Sequence, residues 1–213
     1  MEGEKTMNSN TERAKKFDDL LRSTGREGIE NLIEWLHTTD FYTAPASTRF
    51  HLCHEGGLLE HSLNVYYAFK SKSQNPVWKK IFDDSSLGES GAILVPLLHD
   101  VCKADVYEPE FKNKKVYSPT GSKVDADGRY DWQTVLGYSY NDKNVYGHGE
   151  KSVDLVRDHI WLTKEERKCI RYHMGPQQPG DDRDFWAAAH EYPTVLATYQ
   201  ADSEATVLLE KEE

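Results

Sequence analysis

From Thr11 to His37 the apolar residues Phe17, Leu20, Leu21, Ile29, Leu32, Ile33 and Leu36 fall mostly three or four apart, which predicts helix. Gly25 and Gly28 interrupt that pattern near its middle, so the stretch reads as two short helices. Thr38 to Glu55 carries Pro45, polar clusters and no period, and reads as a loop. Helical spacing returns from Leu58 to Phe69, with Leu59, Leu63 and Tyr66 or Tyr67 turned toward a core. Pro76 opens a short helix through Phe82. Gly91 to Lys103 reads as a buried helix, because Ala92 to Leu98 is apolar on every face; Pro96 removes one ladder hydrogen bond and should kink it.

The pattern then changes period. Val116, Tyr117, Tyr130, Trp132, Val135, Leu136, Tyr138, Tyr140 and Val145 alternate with polar residues, and Asp127-Gly128 and Asn141-Asp142 are turn signals between such runs. A small β-hairpin insert is expected at about 112–147. Helix resumes from His148 to Trp161, Thr163 and Glu166 form a capping box for a helix ending near Gly175, and a last helix spans about Tyr192 to Leu209. The expected fold class is mainly α, one domain over 11–213, with a frayed polar segment over 1–10.

Composition narrows the function. The 213 residues suit one domain with a real core, and 29% charged residues describe a well-solvated surface. A net charge of −10 argues against a large nucleic-acid footprint, since phosphate backbones are held by Lys and Arg. A pair of bound divalent metals would add about four positive charges locally, so a small phosphorylated substrate stays compatible with an acidic chain. The apolar run Ala92 to Leu98 is too short to span a bilayer, and the N-terminal residues show no apolar signal segment. With Cys53, Cys102 and Cys169 widely spaced and odd in number, reduced thiols in the cytoplasm are expected.

Histidines and aspartates carry the chemistry: His61 in GGLLEHS, His99-Asp100 in LLHDVCK, His148 in YGHGEKS, His173 in IRYHMG and Asp202 in YQADSEA. Imidazole with carboxylate is a donor set for divalent transition metals. On a helix, Lys103 lies four residues from His99 and three from Asp100, so the three share one edge. A metal there would take the imidazole and carboxylate, and the ammonium would meet a phosphate oxygen. The alternative is a solvated helix end, or a structural pair in which Lys103 is the cation for a buried Asp100. His61 and Asp202 each sit among apolar helix residues, where a polar group needs a partner. His148 and His173 stand at helix ends, either lining a shared cleft or serving as ordinary polar termini. His51 and His54, three apart in a loop, could line the mouth of the cleft but are expected at the surface, and His37, His159 and His190 lack supporting context.

The order GGLLEHSLNV, LLHDVCK, GHGEKS, RYHMG and a late Asp202, over about residues 50–205, resembles the HD superfamily of metal-dependent phosphohydrolases. It is most similar in pattern to the HD domain of bacterial 3′-to-5′ exoribonucleases. The resemblance implies an HD-domain-like helical bundle in which His61, His99, Asp100 and Asp202 hold one metal. It further implies that Asp100, His148 and His173 serve a second metal and that Lys103 contacts substrate phosphate. Asp100 and Lys103 would be the catalytic pair. The nucleic-acid-binding β-barrel of those exonucleases has no counterpart here, and Met174 stands where their second histidine of an H-H-G element would be.

Three functions compete. A metal-dependent phosphohydrolase acting on a nucleotide or nucleotide-like small molecule leads. A phosphodiesterase on single-stranded RNA or DNA ends is second: the aromatic insert could stack bases, and Lys112, Lys114 and Lys115 could meet phosphates. A catalytically silent metal or nucleotide sensor is third. The expected cofactor is one or two divalent metal ions, Mn, Fe, Ni, Co or Zn, with Mg also compatible. No membrane partner is expected, and the aromatic insert leaves room for a homo-oligomer.

Overall fold

A computed structural model describes residues 2–144, 146–176 and 181–210. The elements in chain order are α1 Glu2–Ser23, α2 Ile29–Thr38, α3 Gly57–Lys72, α4 Pro76–Asp84 and α5 Gly88–Leu98. A 3₁₀ turn, Val101–Lys103, leads into β1 Tyr107–Tyr117, β2 Lys123–Asp125 and β3 Gly128–Tyr140. There follow α6 His148–Arg157, α7 Lys164–Arg171, α8 Asp181–Glu191, α9 Thr194–Glu204 and a π-helical turn, Ala205–Leu209. The fold is mainly helical with a small antiparallel sheet, as the periodicity implies.

Helix formation follows burial. In α2 the residues Ile29, Leu32, Ile33 and Leu36 form one buried stripe. Helix α3 buries residues around most of its circumference because it lies between α5 and α9. Asn75 caps α4 by accepting the Val77 amide, with Pro76 at the first helical position. The predicted capping box is present at α7: the Thr163 hydroxyl accepts the Glu166 amide at 3.1 Å, and Glu166 accepts the Thr163 amide at 2.7 Å. Glu166 also pairs with Arg26 from the loop between α1 and α2, tying α7 to the start of the chain. One apolar core joins Phe17, Leu32, Leu59, Leu97, Phe185 and Val195 from six helices.

Several boundaries differ from the sequence expectation. Helix α1 begins at Glu2, across the segment read as a frayed tail. The expected helix over residues 91–103 stops at Leu98, and a turn separates it from the 3₁₀ turn that bears Lys103. Pro96 lies inside α5, and two residues after it the helix ends. Helix α8 was not anticipated, because DDRDFWAAAHE is charged at one end and buries mainly Phe185, Ala188 and Ala189. The insert begins at Tyr107 and has three strands in the order β1-β3-β2, not a single hairpin. Val145, read as part of that alternation, lies outside the described residues.

Register gives the insert two unlike faces. Directly paired residues share a face, so Tyr107 and Tyr140, Pro109 and Tyr138, Phe111 and Leu136, Lys115 and Trp132, and Tyr117 and Tyr130 lie on one side. The other side carries Glu108 with Ser139, Lys112 with Val135 and Lys114 with Gln133. Phe111, Trp132 and Leu136 are exposed on the aromatic face. The base of the insert is tied down where the Asn141 amide meets the Val106 carbonyl at 2.8 Å and the Tyr107 hydroxyl donates to the Ala46 carbonyl at 3.2 Å. Among the described residues no helix is long and apolar enough to cross a membrane.

Replacing Thr163 with Ala opens the capping box of α7. The expected cost is about 1 kcal/mol, which lowers the thermal midpoint by about 2–4 °C in a chain of this size. Differential scanning calorimetry on the variant checks it, and an unchanged midpoint would show the cap to be open in solution.

Candidate metal centre

Six segments of the chain deliver their polar side chains to one point in the bundle. His61 comes from the second turn of α3, His99 and Asp100 from the turn after α5, and Lys103 from the 3₁₀ turn. His148 opens α6, His173 follows α7, and Asp202 lies on α9. All seven residues expected from the sequence meet here. His61, His99, Asp100 and His173 are essentially sealed from solvent. The accessible edge is formed by His148, Lys103 and Asp202, whose side chains keep 27%, 13% and 12% exposure.

The donor atoms are spaced as ligands are. His61 Nε2 lies 3.2 Å from His99 Nε2, 3.2 Å from Asp202 Oδ1 and 3.5 Å from Asp100 Oδ2. His99 Nε2 lies 3.5 Å from Asp100 Oδ2 and 4.0 Å from Asp202 Oδ1. Ligands about 2.1 Å from one ion stand roughly 3.0 Å apart at right angles and roughly 3.4 Å apart in a tetrahedron. The other Asp100 oxygen, Oδ1, is 2.7 Å from His148 Nε2 and 3.2 Å from His173 Nε2. Asp100 therefore joins two donor groups through its two oxygens.

Proton placement argues for a cation. His99 Nδ1 faces the Pro96 carbonyl at 2.8 Å, and His173 Nδ1 faces the Ile170 carbonyl at 2.6 Å. A carbonyl only accepts, so each Nδ1 carries the proton and each Nε2 of the neutral ring is a lone pair. Both carbonyls lie in the last turn of a helix, where no backbone donor reaches them. His61 Nδ1 likewise faces the carboxylate of Glu210, at 3.0 Å from each oxygen. The Nε2 lone pairs of His99 and His173, and the Nε2 atom of His61, thus converge on two carboxylates. His173 Nε2 is buried and makes no hydrogen bond although Asp100 Oδ1 is 3.2 Å away, because acceptor faces acceptor. This is the arrangement in which outer partners fix the tautomer of metal-ligating histidines.

The electrostatics agree. Burial opposes charge on His61, yet hydrogen bonds to Asp100, Asp202 and Glu210 outweigh it and raise the ring well above its ordinary range. Burial, together with repulsion from the His173 ring, holds His99 below that range. Asp100 is strongly desolvated, but the Lys103 charge and the surrounding rings hold its carboxyl well below normal. Asp202 is lowered for the same reason, through His61. The carboxylates that draw a proton onto His61 also supply the negative charge that a divalent cation would need. Buried His, Asp and Cys residues in this cluster can hold a metal ion.

Lys103 is committed to Asp100, with Nζ 2.7 Å from Oδ2, so the structural ion pair allowed by the sequence is present. Three further residues belong to the site. Glu210, just past the π-helical turn, is buried against His61 and is also bonded by Asn64 Nδ2 at 3.0 Å. Cys102 Sγ lies 3.3 Å from His148 Nδ1, and burial pushes its thiol up to about 12, which keeps it protonated. His51, expected at the surface, instead packs its ring 5.1 Å from that of His61. His54 stays exposed, and His37 has a structural role, pairing with Asp18 at 2.9 Å.

Close backbone approach sets the geometry between α6 and α7. A Cβ on Gly149 would stand 2.1 Å from the Arg171 carbonyl oxygen, so only glycine lets the start of α6 seat against the end of α7. That seating brings His148 and His173 to the same carboxylate.

Comparison with protein-family models, with curated proteins and with solved structures finds no match to this chain.

Two substitutions test the centre. Glu210→Ala removes the partner that fixes His61 and is expected to weaken metal binding about 10- to 100-fold, read by competition against a chelating indicator; wild-type affinity would show that Glu210 does not orient the ring. Gly149→Ala is expected to cost about 1–3 kcal/mol through overpacking, read by urea denaturation, and a neutral result would remove the close-approach account.

Proposed function

We propose that this chain is a metal-dependent phosphohydrolase of the HD type, hydrolysing a phosphoester of a nucleotide or nucleotide-like small molecule. One observation carries the proposal: the Nε2 atoms of His61, His99 and His173 converge with Asp100 and Asp202 in a buried pocket whose outer hydrogen bonds orient each ring. The order of those residues along the chain, matching the HD motif pattern, supports it independently.

In this function His61, His99, Asp100 and Asp202 hold one divalent ion, and Asp100, His148 and His173 serve a second. The mixed imidazole and carboxylate set suits Mn, Fe, Co, Ni or Zn, and Mg less well. Bound there, the metal would supply Lewis acidity to polarise a phosphoryl oxygen and to acidify water. The protein's own residues do the rest. Asp100 anchors both halves of the centre and holds Lys103. The Lys103 ammonium, at the accessible edge, neutralises charge that gathers on the phosphoryl oxygens in the transition state. Apolar walls from α3, α5 and α9 keep bulk water from the inner ligands, which strengthens each of these interactions. The free thiols Cys53, Cys102 and Cys169 suit a reducing cytoplasmic setting.

A phosphodiesterase on single-stranded nucleic acid is the second reading, and the one-sided aromatic face of the insert favours it. Phe111, Trp132 and Tyr117 are exposed there, with the Lys115 ammonium 4.5 Å from the Tyr130 ring. Such a face stacks bases.

Metal analysis by plasma mass spectrometry on the tag-free protein tests the leading function, paired with a nucleotide hydrolysis screen. About two transition-metal ions per chain are expected in the wild type, and loss of metal and turnover in Asp100→Ala with the fold retained by circular dichroism. Wild-type protein that takes no metal after reconstitution with manganese would end the proposal. An Asp100→Ala variant of full activity would end the mechanism.

A further inference from the structure

His51 is the polar group in the centre that the ligand geometry does not use. Its ring lies against His61, within electrostatic reach of Lys103 and Asp100, and its side chain keeps only 13% exposure. Both ring nitrogens are buried, and neither has a hydrogen-bond partner. The nearest carboxylate oxygen, on Glu210, is 3.8 Å away and already serves His61 and Asn64. A buried polar atom without a partner is rare in a folded protein, and two on one ring point to a partner that arrives from outside.

The backbone holds the ring there deliberately. The Ser47 hydroxyl donates to the His51 carbonyl at 2.9 Å and accepts the amides of Phe50 and His51 at 2.8 and 3.1 Å. The Leu52 carbonyl accepts the Ala46 amide at 3.1 Å. Leu52 itself has a φ of 44°, a left-handed conformation that a branched-chain residue adopts only when its surroundings impose it. Room for its carbonyl exists because Gly57 lacks a Cβ, which would stand 2.1 Å from that oxygen. Strain of this kind gathers at binding sites, and here it aims one imidazole at the metal ligands.

Resting on the phosphohydrolase function above, we propose that His51 is a substrate-binding residue whose ring N–H takes a phosphoryl oxygen beside the metal ligands. The Lys103 ammonium, on the accessible edge, favours an incoming group that is an anion. The loop over residues 47–52 is then the wall of a phosphate subsite, with the Arg49 guanidinium over the exposed Phe50 ring at its tip. No main-chain hydrogen bond of the loop uses the His51 ring, so the ring can be removed without undoing the loop.

Calorimetric titration of inorganic phosphate into the manganese-loaded full-length protein tests the assignment. His51→Ala is expected to keep the wild-type manganese content and thermal midpoint while its phosphate Kd rises about tenfold or more, the loss of one hydrogen bond to a charged group. His51→Gln, which keeps an N–H, is expected to recover most of that affinity. Wild-type phosphate affinity in His51→Ala would overturn the proposal. So would a reduced manganese content in both variants, which would make His51 a metal ligand. Wild-type protein that binds manganese but no phosphate overturns the subsite and leaves the metal centre standing, whereas failure to bind manganese overturns both.

Discussion

A carboxylate sealed inside a helical bundle has to be neutralised where it stands, and Asp100 imposes that requirement on this fold. It is 1% exposed, and every group within reach of it is a cation, a proton donor or a lone pair awaiting one. Desolvating such a charge without partners would cost far more than the net stability of a domain this size. Lys103 answers one oxygen. The second oxygen faces two imidazoles, and only one of them, His148, bonds to it. Protein groups alone leave the cluster short of positive charge, and that deficit is one a divalent cation could fill.

The surrounding structure can be understood as the means of holding lone pairs that would otherwise turn away from one another. His99 and His173 use the same device: each Nδ1–H takes a carbonyl three residues earlier, in the last turn of the preceding helix. The helix end gains a donor for an orphan acceptor, and the ring loses its choice of tautomer. His61 has no helix end nearby and receives its fixing partner from Glu210 at the far end of the chain. The π-helical turn after α9 makes that possible, since its wider winding brings Glu210 back toward α3. Such turns are found disproportionately at functional sites. Asp202 and Glu210, on the two sides of this turn, contact opposite nitrogens of the same ring.

The sequence made the inner ligands legible and left their supports obscure, for a physical reason. His61, His99 and Asp202 interrupt runs of apolar residues, so a polar group out of place marks each of them. The capping box at Thr163 and the two-helix reading of residues 11–37 follow from local rules of the same sort. Glu210 follows Val207, Leu208 and Leu209, which are exposed, and nothing local distinguishes it from a surface glutamate. Its role depends on a contact with a residue far away in the chain. His51 lies in a loop without period, where the burial of a side chain is set by main-chain bonds and by the left-handed Leu52, not by hydrophobic spacing. Helix α8 was missed because its buried side is a single large residue, Phe185, followed by the small Ala188 and Ala189, too few large apolar positions to set a period. Its backbone could be helical with little hydrophobic pattern to announce it.

The insert stands apart from the polar cluster although it interrupts that cluster in sequence. It lies in sequence between Lys103 and His148, two residues of the centre, yet adds no side chain to the ligand set. Its aromatic residues gather on one face by strand register alone, while the bundle beneath is fixed by burial. The Tyr107 hydroxyl at its base holds the carbonyl of Ala46, which opens the same loop that carries Ser47 and His51. A change in the tilt of the insert is therefore felt in the loop before it is felt at His99 and His173, which are held by bonds to helix ends. The insert and the loop can change in sequence with the Asp100 cluster intact, because the contact they share at Ala46 involves none of its side chains.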